Sequence, residues 1–501
     1  MILLFSLFAC APADEGDGTS DPTYPTPSLT ADATVIDPTL DGDPAITLSA
    51  TLAATGAGAT CSIEWIVDGP TQARQLGTFG AGEPASWDGR DDDGAPFAPG
   101  VVTVWAFSEC SDGARGVASL DLGVVRLAPA LLEFSAASGT IVPLAFHKRD
   151  LVTVRPTPID VPAYRTPEGR FDDASPAVQP WQDPDLAPWG ADPDGVARNV
   201  PVAYAGGSTP RVYATPALQT LEGDATVPTG VSVSLSAPAA LTWTERVAID
   251  LDPLEATLGR QTSELRWEWV GCVGDGCTPA PIPGFRSTRH TIYRLAGASQ
   301  LRDGSGEGYA DSTPWIGALA DTADALEGVP VDDPYAAMDA LRDRLFTDPW
   351  LIYSPNAGVY SEYAGQYIYW ISIASQLSDW LDREQGLSLY CHSMSCLLSV
   401  LANTWGIDAQ QTVLGVNFTT HLVRAANTEP WIAWGFNSHS VATLENGSLV
   451  WDASVEIDVD DSPDAEPVTA LAPKGVSFED YVEMLTANDI GNVNQMKCFV
   501  E

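Results

Sequence analysis

The chain has 501 residues, 45% of them apolar, and carries a formal net charge of -43 with a pI near 4.1. At roughly 100–200 residues per domain, that length implies about three domains, each able to bury a core. The charge excludes nucleic acid as a partner and disfavours docking on an anionic lipid surface, because phosphate is repelled.

Residues 1–10 read M-I-L-L-F-S-L-F-A-C, apolar up to a small residue before Cys10 and polar immediately after. The segment resembles the end of a bacterial lipoprotein signal peptide. That implies export to the cell envelope and lipid attachment at Cys10. No Lys or Arg precedes the apolar run, and a buried N-terminal strand is the alternative reading. No other run approaches the ~18–20 apolar residues of a membrane helix. Residues 11–30 are rich in Asp, Pro, Thr, Ser and Gly and read as a flexible acidic linker.

Residues 31–127 fall into short alternating runs such as A-I-T-L-S-A-T-L and V-V-T-V-W-A-F, separated by turn residues. This is the pattern of an all-β sandwich. The stretch W-D-G-R-D-D-D-G-A-P-F-A-P-G, ahead of such a run, resembles the Ig-like modules of bacterial surface and flagellar-hook scaffolding proteins. The resemblance implies a spacer or a module that binds a cell-surface partner. Asp88, Asp91 and Asp93 suit either a calcium loop or ordinary Asx turns.

Residues 128–300 are again β-rich, with V-S-V-S-L-S and S-E-L-R-W-E-W-V as examples, and form a middle β-domain. A Pro/Asp/Trp-rich stretch over 157–191 reads as a long irregular loop. His147 and His290 each stand alone, which suits structural histidines.

Helical periodicity begins after about residue 330, within a C-terminal domain spanning 301–501. Asp333 before Pro334 marks a helix start, and Met338, Leu341 and Leu345 recur at helical spacing. A second helix is expected in Q-Y-I-Y-W-I-S-I-A-S-Q-L-S-D-W-L-D-R-E. A third begins at Cys391, with Met394, Leu397, Leu398 and Leu401 on its apolar face and Gly406 beyond its end. Four strand patterns follow, then a helix capped by Ser477. Helices before antiparallel strands make an α+β domain.

Cys391, His439 and Asp452 carry the chemistry. A thiol at a helix start, with a His and an Asp on following strands, supplies the parts of a cysteine acyl-transfer site. A free thiol is mostly protonated near neutrality; a helix N-terminus and an imidazolium favour the nucleophilic thiolate. The run C-H-S-M-S-C-L-L-S-V-L-A-N-T-W-G-I-D-A opens at Cys391 and puts Gly406 fifteen residues on (406 − 391). His439 begins H-S-V-A-T-L, E-N-G turns the chain, and L-V-W-D brings Asp452 thirteen residues after the His (452 − 439). Together these segments, over about 330–460, resemble the transglutaminase-like (papain-related) superfamily. The resemblance selects Cys391 over Cys396 as nucleophile and implies a protease, amidase or acyltransferase acting on protein or peptide substrates without a cofactor. The Cys391 backbone N–H is one oxyanion donor, and Trp370 and Tyr390 are candidates for the upstream side chain the family often adds. Leu389-Tyr390 and Val441 depart from the residues often found around the Cys and His, which bears on substrate preference.

With Cys10 set aside for lipid and Cys391 for catalysis, six of the eight cysteines remain. Cys61 and Cys110 are expected to bridge the sheets of the first β-domain. Cys272 and Cys277 close a small loop, and Cys396 and Cys498 tie the tail to the catalytic helix. Other pairings stay open. Zinc on Cys391, His392, Cys396 and His421 is disfavoured, because adjacent helical side chains diverge by about 100°. The chain therefore reads as multidomain: an Ig-like sandwich, a β-rich middle domain and a transglutaminase-like (papain-like) α+β domain. The competing function is a non-catalytic cell-surface adhesion lipoprotein with a degenerate C-terminal domain.

Overall fold

The computed structural model describes residues 26–146 (less 54–57, 128, 139–140 and 143), 157–159, 163–165, 199–300 (less 207, 217–230, 237–239, 242–246, 251–253 and 275–276), 314–354 and 370–499 (less 373, 382, 384–386, 416, 429, 460–469, 487–489 and 491–493). The signal segment with Cys10, residues 11–25 of the acidic linker and His147 lie outside these residues, as do most of 157–191 and the side chains of His290 and Trp370. The end of the expected linker is not flexible chain, because Pro27–Ala31 pairs as a strand with Ile46–Leu52. Contacts group the chain into two compact units. The first comprises residues 1–126, 227–233 and 269–284; the second comprises the rest.

The first unit is a two-sheet sandwich. Pro27–Ala31, Ile46–Leu52 and Ala85–Trp87 form one sheet; Val35–Ile36, Arg115–Val124, Gly100–Cys110, Cys61–Asp68 and Ala73–Gly80, in that order, form the other. Alternation along Ile46–Leu52 turns Ile46, Leu48 and Ala50 inward, where they share a core with Trp65, Trp87, Val102 and Val104. Cys61 and Cys110 are bonded, but they are directly paired residues of adjacent strands in one sheet, so the bond does not join the two sheets as expected. Strand register brings the two together: both lie at the open ends of a long antiparallel pair.

The W-D-G loop is held by its own side chains. Asp91 accepts from Gln72 Nε2 and from the N–H groups of Asp93 and Ala95; Asp88 accepts from Arg74 and the Arg90 N–H. Both carboxylates are engaged in turn chemistry. Gly89 sits at φ 76°, and a Cβ there would lie 2.8 Å from Pro38 Cβ, so only glycine fits. A second disulfide closes the short loop from Cys272 to Cys277.

In the second unit, Arg286–Leu295 pairs parallel with Asn199–Ala205 and antiparallel with residues 259–267 of Gly259–Val273. Ala203, Leu258, Tyr293 and Leu295 belong to the same apolar core as the helices that follow. Those helices are α1 (Ile316–Leu326), α2 (Pro334–Phe346), α3 (Ala374–Leu381), α4 (Cys391–Thr404) and α5 (Phe478–Leu485). Asp333 caps α2 by accepting from Ala336 N at 2.9 Å, and Ser477 caps α5 by accepting from Asp480 N at 3.1 Å. Two sheets complete the unit. One orders Trp370–Ser372, Asn494–Phe499, Gln410–Leu414, His439–Leu444, Leu449–Trp451 and Lys474–Ser477; the other orders Ile432–Phe436, Phe418–Ala425, Val455–Asp458 and Ala470–Leu471.

Three expectations change. α1 lies ahead of residue 330, where no helix was expected. The second expected helix is short: Trp370–Ser372 is a strand running parallel to Lys497–Phe499, and only Ala374–Leu381 is helical. Aromatic and β-branched residues in that segment favour the sheet once a partner strand is present. The long loop carries two short strands, Thr157–Ile159 and Ala163–Arg165.

α4 is the centre of the unit. Every residue in it except His392 is buried. Its polar side chains stay satisfied inside: Ser399 donates to the Ser395 carbonyl, Thr404 to that of Val400, and Asn403 to that of Ala409. Beyond its end, Gly406 has φ 83°, and a Cβ there would meet the Gly297 backbone at 2.6 Å. The Cys396–Cys498 disulfide fastens α4 to Asn494–Phe499. No helix among the described residues is long and apolar enough to cross a membrane.

Candidate active site

Cys391 is the first residue of α4 and the free cysteine among the described residues. Tyr390 precedes it in extended geometry and offers no side-chain cap, so the first-turn N–H groups are not consumed by a capping oxygen. Gln411, buried on the central strand, donates to the His392 carbonyl at 2.9 Å and to Ser395 Oγ at 2.8 Å, and so holds the first turn in place. The Cys391 thiol lies 3.9 Å from the Ser438 carbonyl, next to His439 in the chain.

His439 opens His439–Leu444, a strand buried along its length, and Asp452 directly follows Leu449–Trp451. The hairpin between them pairs Ala442 with Trp451, which puts His439 and Asp452 diagonally on one face. Asn446 and Gly447 take positive φ at the turn. The result is a bond from His439 Nε2–H to Asp452 Oδ2 of 2.8 Å between two side chains with no solvent exposure. Asp452 also accepts from the Ser454 N–H (2.7 Å) and the Tyr481 hydroxyl (2.6 Å), and its carbonyl accepts from Arg342 Nε (2.8 Å).

These contacts set the charges. Burial works against the His439 imidazolium, but the charge and hydrogen bond of Asp452, with the Cys391 thiol, raise the ring to about 10. Burial likewise penalises the Asp452 carboxylate, and His439, Tyr481 and the Ser454 N–H still hold it below the ordinary value. His392 goes the other way: burial, then the charge of His439, lowers it to about 4, so it is neutral at ordinary pH. Its Nε2 lies 3.3 Å from Ser438 Oγ, and its ring stacks on Tyr390 at 5.4 Å.

With Nε2 committed to Asp452, Nδ1 is the nitrogen left to exchange a proton. It is buried and makes no regular hydrogen bond among the described residues. Besides Asp452, the Cys391 thiol is the group that acts on the ring, through a hydrogen bond and its charge. Tyr353, from Leu351–Tyr353, brings a second such group. Its buried hydroxyl also lacks a regular partner among the described residues, and burial, then Cys391 and Asp452, raise its pKa well above the ordinary value. Both the thiol and the backbone of Cys391 act on that hydroxyl. Trp434 stacks on Tyr353 at 5.2 Å, and Phe436 packs on His439 at 4.8 Å, so aromatic rings close over the group.

The residues expected from the sequence thus divide. Cys391, His439 and Asp452 come together, while Tyr390 turns to His392. Cys396 spends its sulfur in a disulfide and cannot serve as a zinc thiolate. No local signal in the sequence marks Tyr353, Tyr481 or Arg342. Only their apolar or helical neighbourhoods are visible in sequence; the atoms they meet are far away along the chain.

No protein-family model matches the chain, and no curated protein is similar to it. Among solved structures, one of a 1.5-MDa bacterial ice-binding adhesin aligns at 11% identity over 56% of this chain and 67% of that one, with a TM-score of 0.17. SGBP-B of the Bacteroides ovatus mixed-linkage glucan utilization locus, in complex with a mixed-linkage heptasaccharide, aligns at 9% identity over 86% and 90%, with a TM-score of 0.13. At such scores neither carries an argument about this chain.

Proposed function

We propose that the chain is an exported, lipid-anchored cysteine enzyme of transglutaminase-like type that cleaves or transfers peptide amide acyl groups through Cys391, His439 and Asp452. One observation carries the reading: a free thiol at the first position of a buried helix stands beside a buried histidine whose far nitrogen is bonded to a buried aspartate. The Cys391 sulfur adds to the amide carbonyl carbon, and the C–N bond breaks as Nδ1 of His439 gives its proton to the departing amine. Water or an incoming amine then bonds to the carbonyl carbon. Nδ1 takes its proton, and Cys391 leaves as thiolate. Asp452 keeps the ring oriented and balances its charge. On this reading the Cys391 backbone N–H and the Tyr353 hydroxyl, which neighbour one another, donate to the carbonyl oxygen as it gains charge.

Both acceptors balance the step, so hydrolysis and transfer are open to the same residues. Three disulfides fit an oxidising, extracytoplasmic compartment. The envelope location, the anchor at Cys10 and a cell-surface partner for the β-regions, with their Ig-like resemblance, belong to this reading. Iodoacetamide at mildly acidic pH tests it. Selective alkylation of Cys391, lost in His439→Ala, is the expected result; a Cys391 that reacts no faster than a denatured thiol sinks the idea.

A further inference from the structure

Asp452 Oδ2 serves two donors: His439 Nε2–H at 2.8 Å and the Tyr481 hydroxyl at 2.6 Å. Tyr481 comes from α5, is fully buried, and burial followed by the Asp452 charge keeps its phenol protonated. A carboxylate oxygen that accepts a second, charge-assisted bond holds its first proton donor less strongly. Resting on the triad reading, we propose that Tyr481 is a positioning residue that sets how tightly Asp452 holds the His439 proton, and so how readily that proton reaches a leaving amine at Cys391.

The titratable and charged groups facing the pair are Cys391 and His392 from α4, Tyr353 from Leu351–Tyr353, Arg342 from α2 and Tyr481 from α5. Among those neighbours, Tyr481 is the one bonded to the Asp452 side chain, besides His439 itself; Arg342 reaches only the backbone carbonyl. A purely structural Tyr481 would anchor α5, which buries little else than Leu485. Changes that keep the ring and alter only the hydroxyl separate the two roles.

The measurement is histidine-selective 15N NMR on the full chain, following the His439 ring nitrogens through the neutral and alkaline range. Tyr481→Phe removes the competing donor, and the His439 midpoint is expected to rise by roughly half a pH unit or more. Site-specific replacement of Tyr481 by 3-fluorotyrosine strengthens the donor, and the midpoint is expected to fall. If Tyr481→Phe does not fold, the fluorotyrosine arm decides alone. A midpoint unmoved in either folded variant, or moved in one direction by both, overturns the proposal while leaving the triad standing. A His439 already neutral at neutral pH in the unaltered chain overturns the triad reading and this proposal with it.

Discussion

Arg342 holds the backbone on which Asp452 turns: its Nε donates to the Asp452 carbonyl at 2.8 Å and its Nη2 to the Val455 carbonyl at 3.1 Å. The guanidinium is buried, lies over the Phe346 ring at 4.1 Å, and links α2 to the end of the His439–Asp452 hairpin. Arg342→Met keeps much of the volume but leaves two buried carbonyls unpaired. It is expected to cost about 2–4 kcal/mol in urea unfolding and to slow Cys391 alkylation at mildly acidic pH.

The histidines predict opposite limbs of a stability profile. The folded value of His439, about 10, lies above its unfolded value, so its contribution is whole below about 6.5 and is lost as pH rises toward 10. The folded value of His392, about 4, lies below, so protonation costs the fold as pH falls from 6.5 toward 4. Thermal melts against pH are expected to lose the alkaline slope in His439→Gln and to soften the acid slope in His392→Gln.

Cys391 is only 4% exposed, and the ring of Trp434 sits on Tyr353 beside it. Trp434→Ala is expected to speed alkylation of Cys391 several-fold at mildly acidic pH while leaving its dependence on His439 intact. An unchanged rate means that reagents enter by another route.

On the proposed function, the Tyr353 hydroxyl acts on the carbonyl oxygen and not on the thiol. Tyr353→Phe is expected to lower turnover of a peptide amide by about 10²–10³-fold while Cys391 still alkylates selectively. Parallel loss of both activities would make Tyr353 a support for the nucleophile instead.

The Cys396–Cys498 bond closes a separation of 102 residues. The double change to Ser is expected to destabilise the chain by about 3–5 kcal/mol, read from denaturant unfolding.

Much of the site was legible because it is local. Asp333 before Pro334, Gly406 after the helix, E-N-G between two strands and Ser477 before F-E-D are each short-range signals, and each stands where those signals put it. The three cysteine pairs named by elimination are bonded as pairs, although Cys61–Cys110 lies within a sheet. What escaped is tertiary. Trp370–Ser372 becomes a strand only because Lys497–Phe499 lies beside it, more than a hundred residues on. Tyr353, Tyr481 and Arg342 reach Cys391 or Asp452 across 38, 29 and 110 residues of chain (391 − 353, 481 − 452, 452 − 342). No periodicity or cap announces such a meeting. α1, too, lacks an acidic first turn and a side-chain cap, the marks by which a helix start is read.

The enclosure of α4 has a consequence for how the protein fails. A nucleophile on a mobile loop can be lost by local opening long before the fold gives way. Here the thiol rides on an element walled in by α1, α2, α3 and the strands Gln410–Leu414, His439–Leu444 and Asn494–Phe499. Such an element exposes its amides only when the whole unit opens. Hydrogen exchange across residues 394–404 is therefore expected to be as slow as global unfolding allows, and, on the proposed function, heat inactivation is expected to coincide with melting rather than precede it.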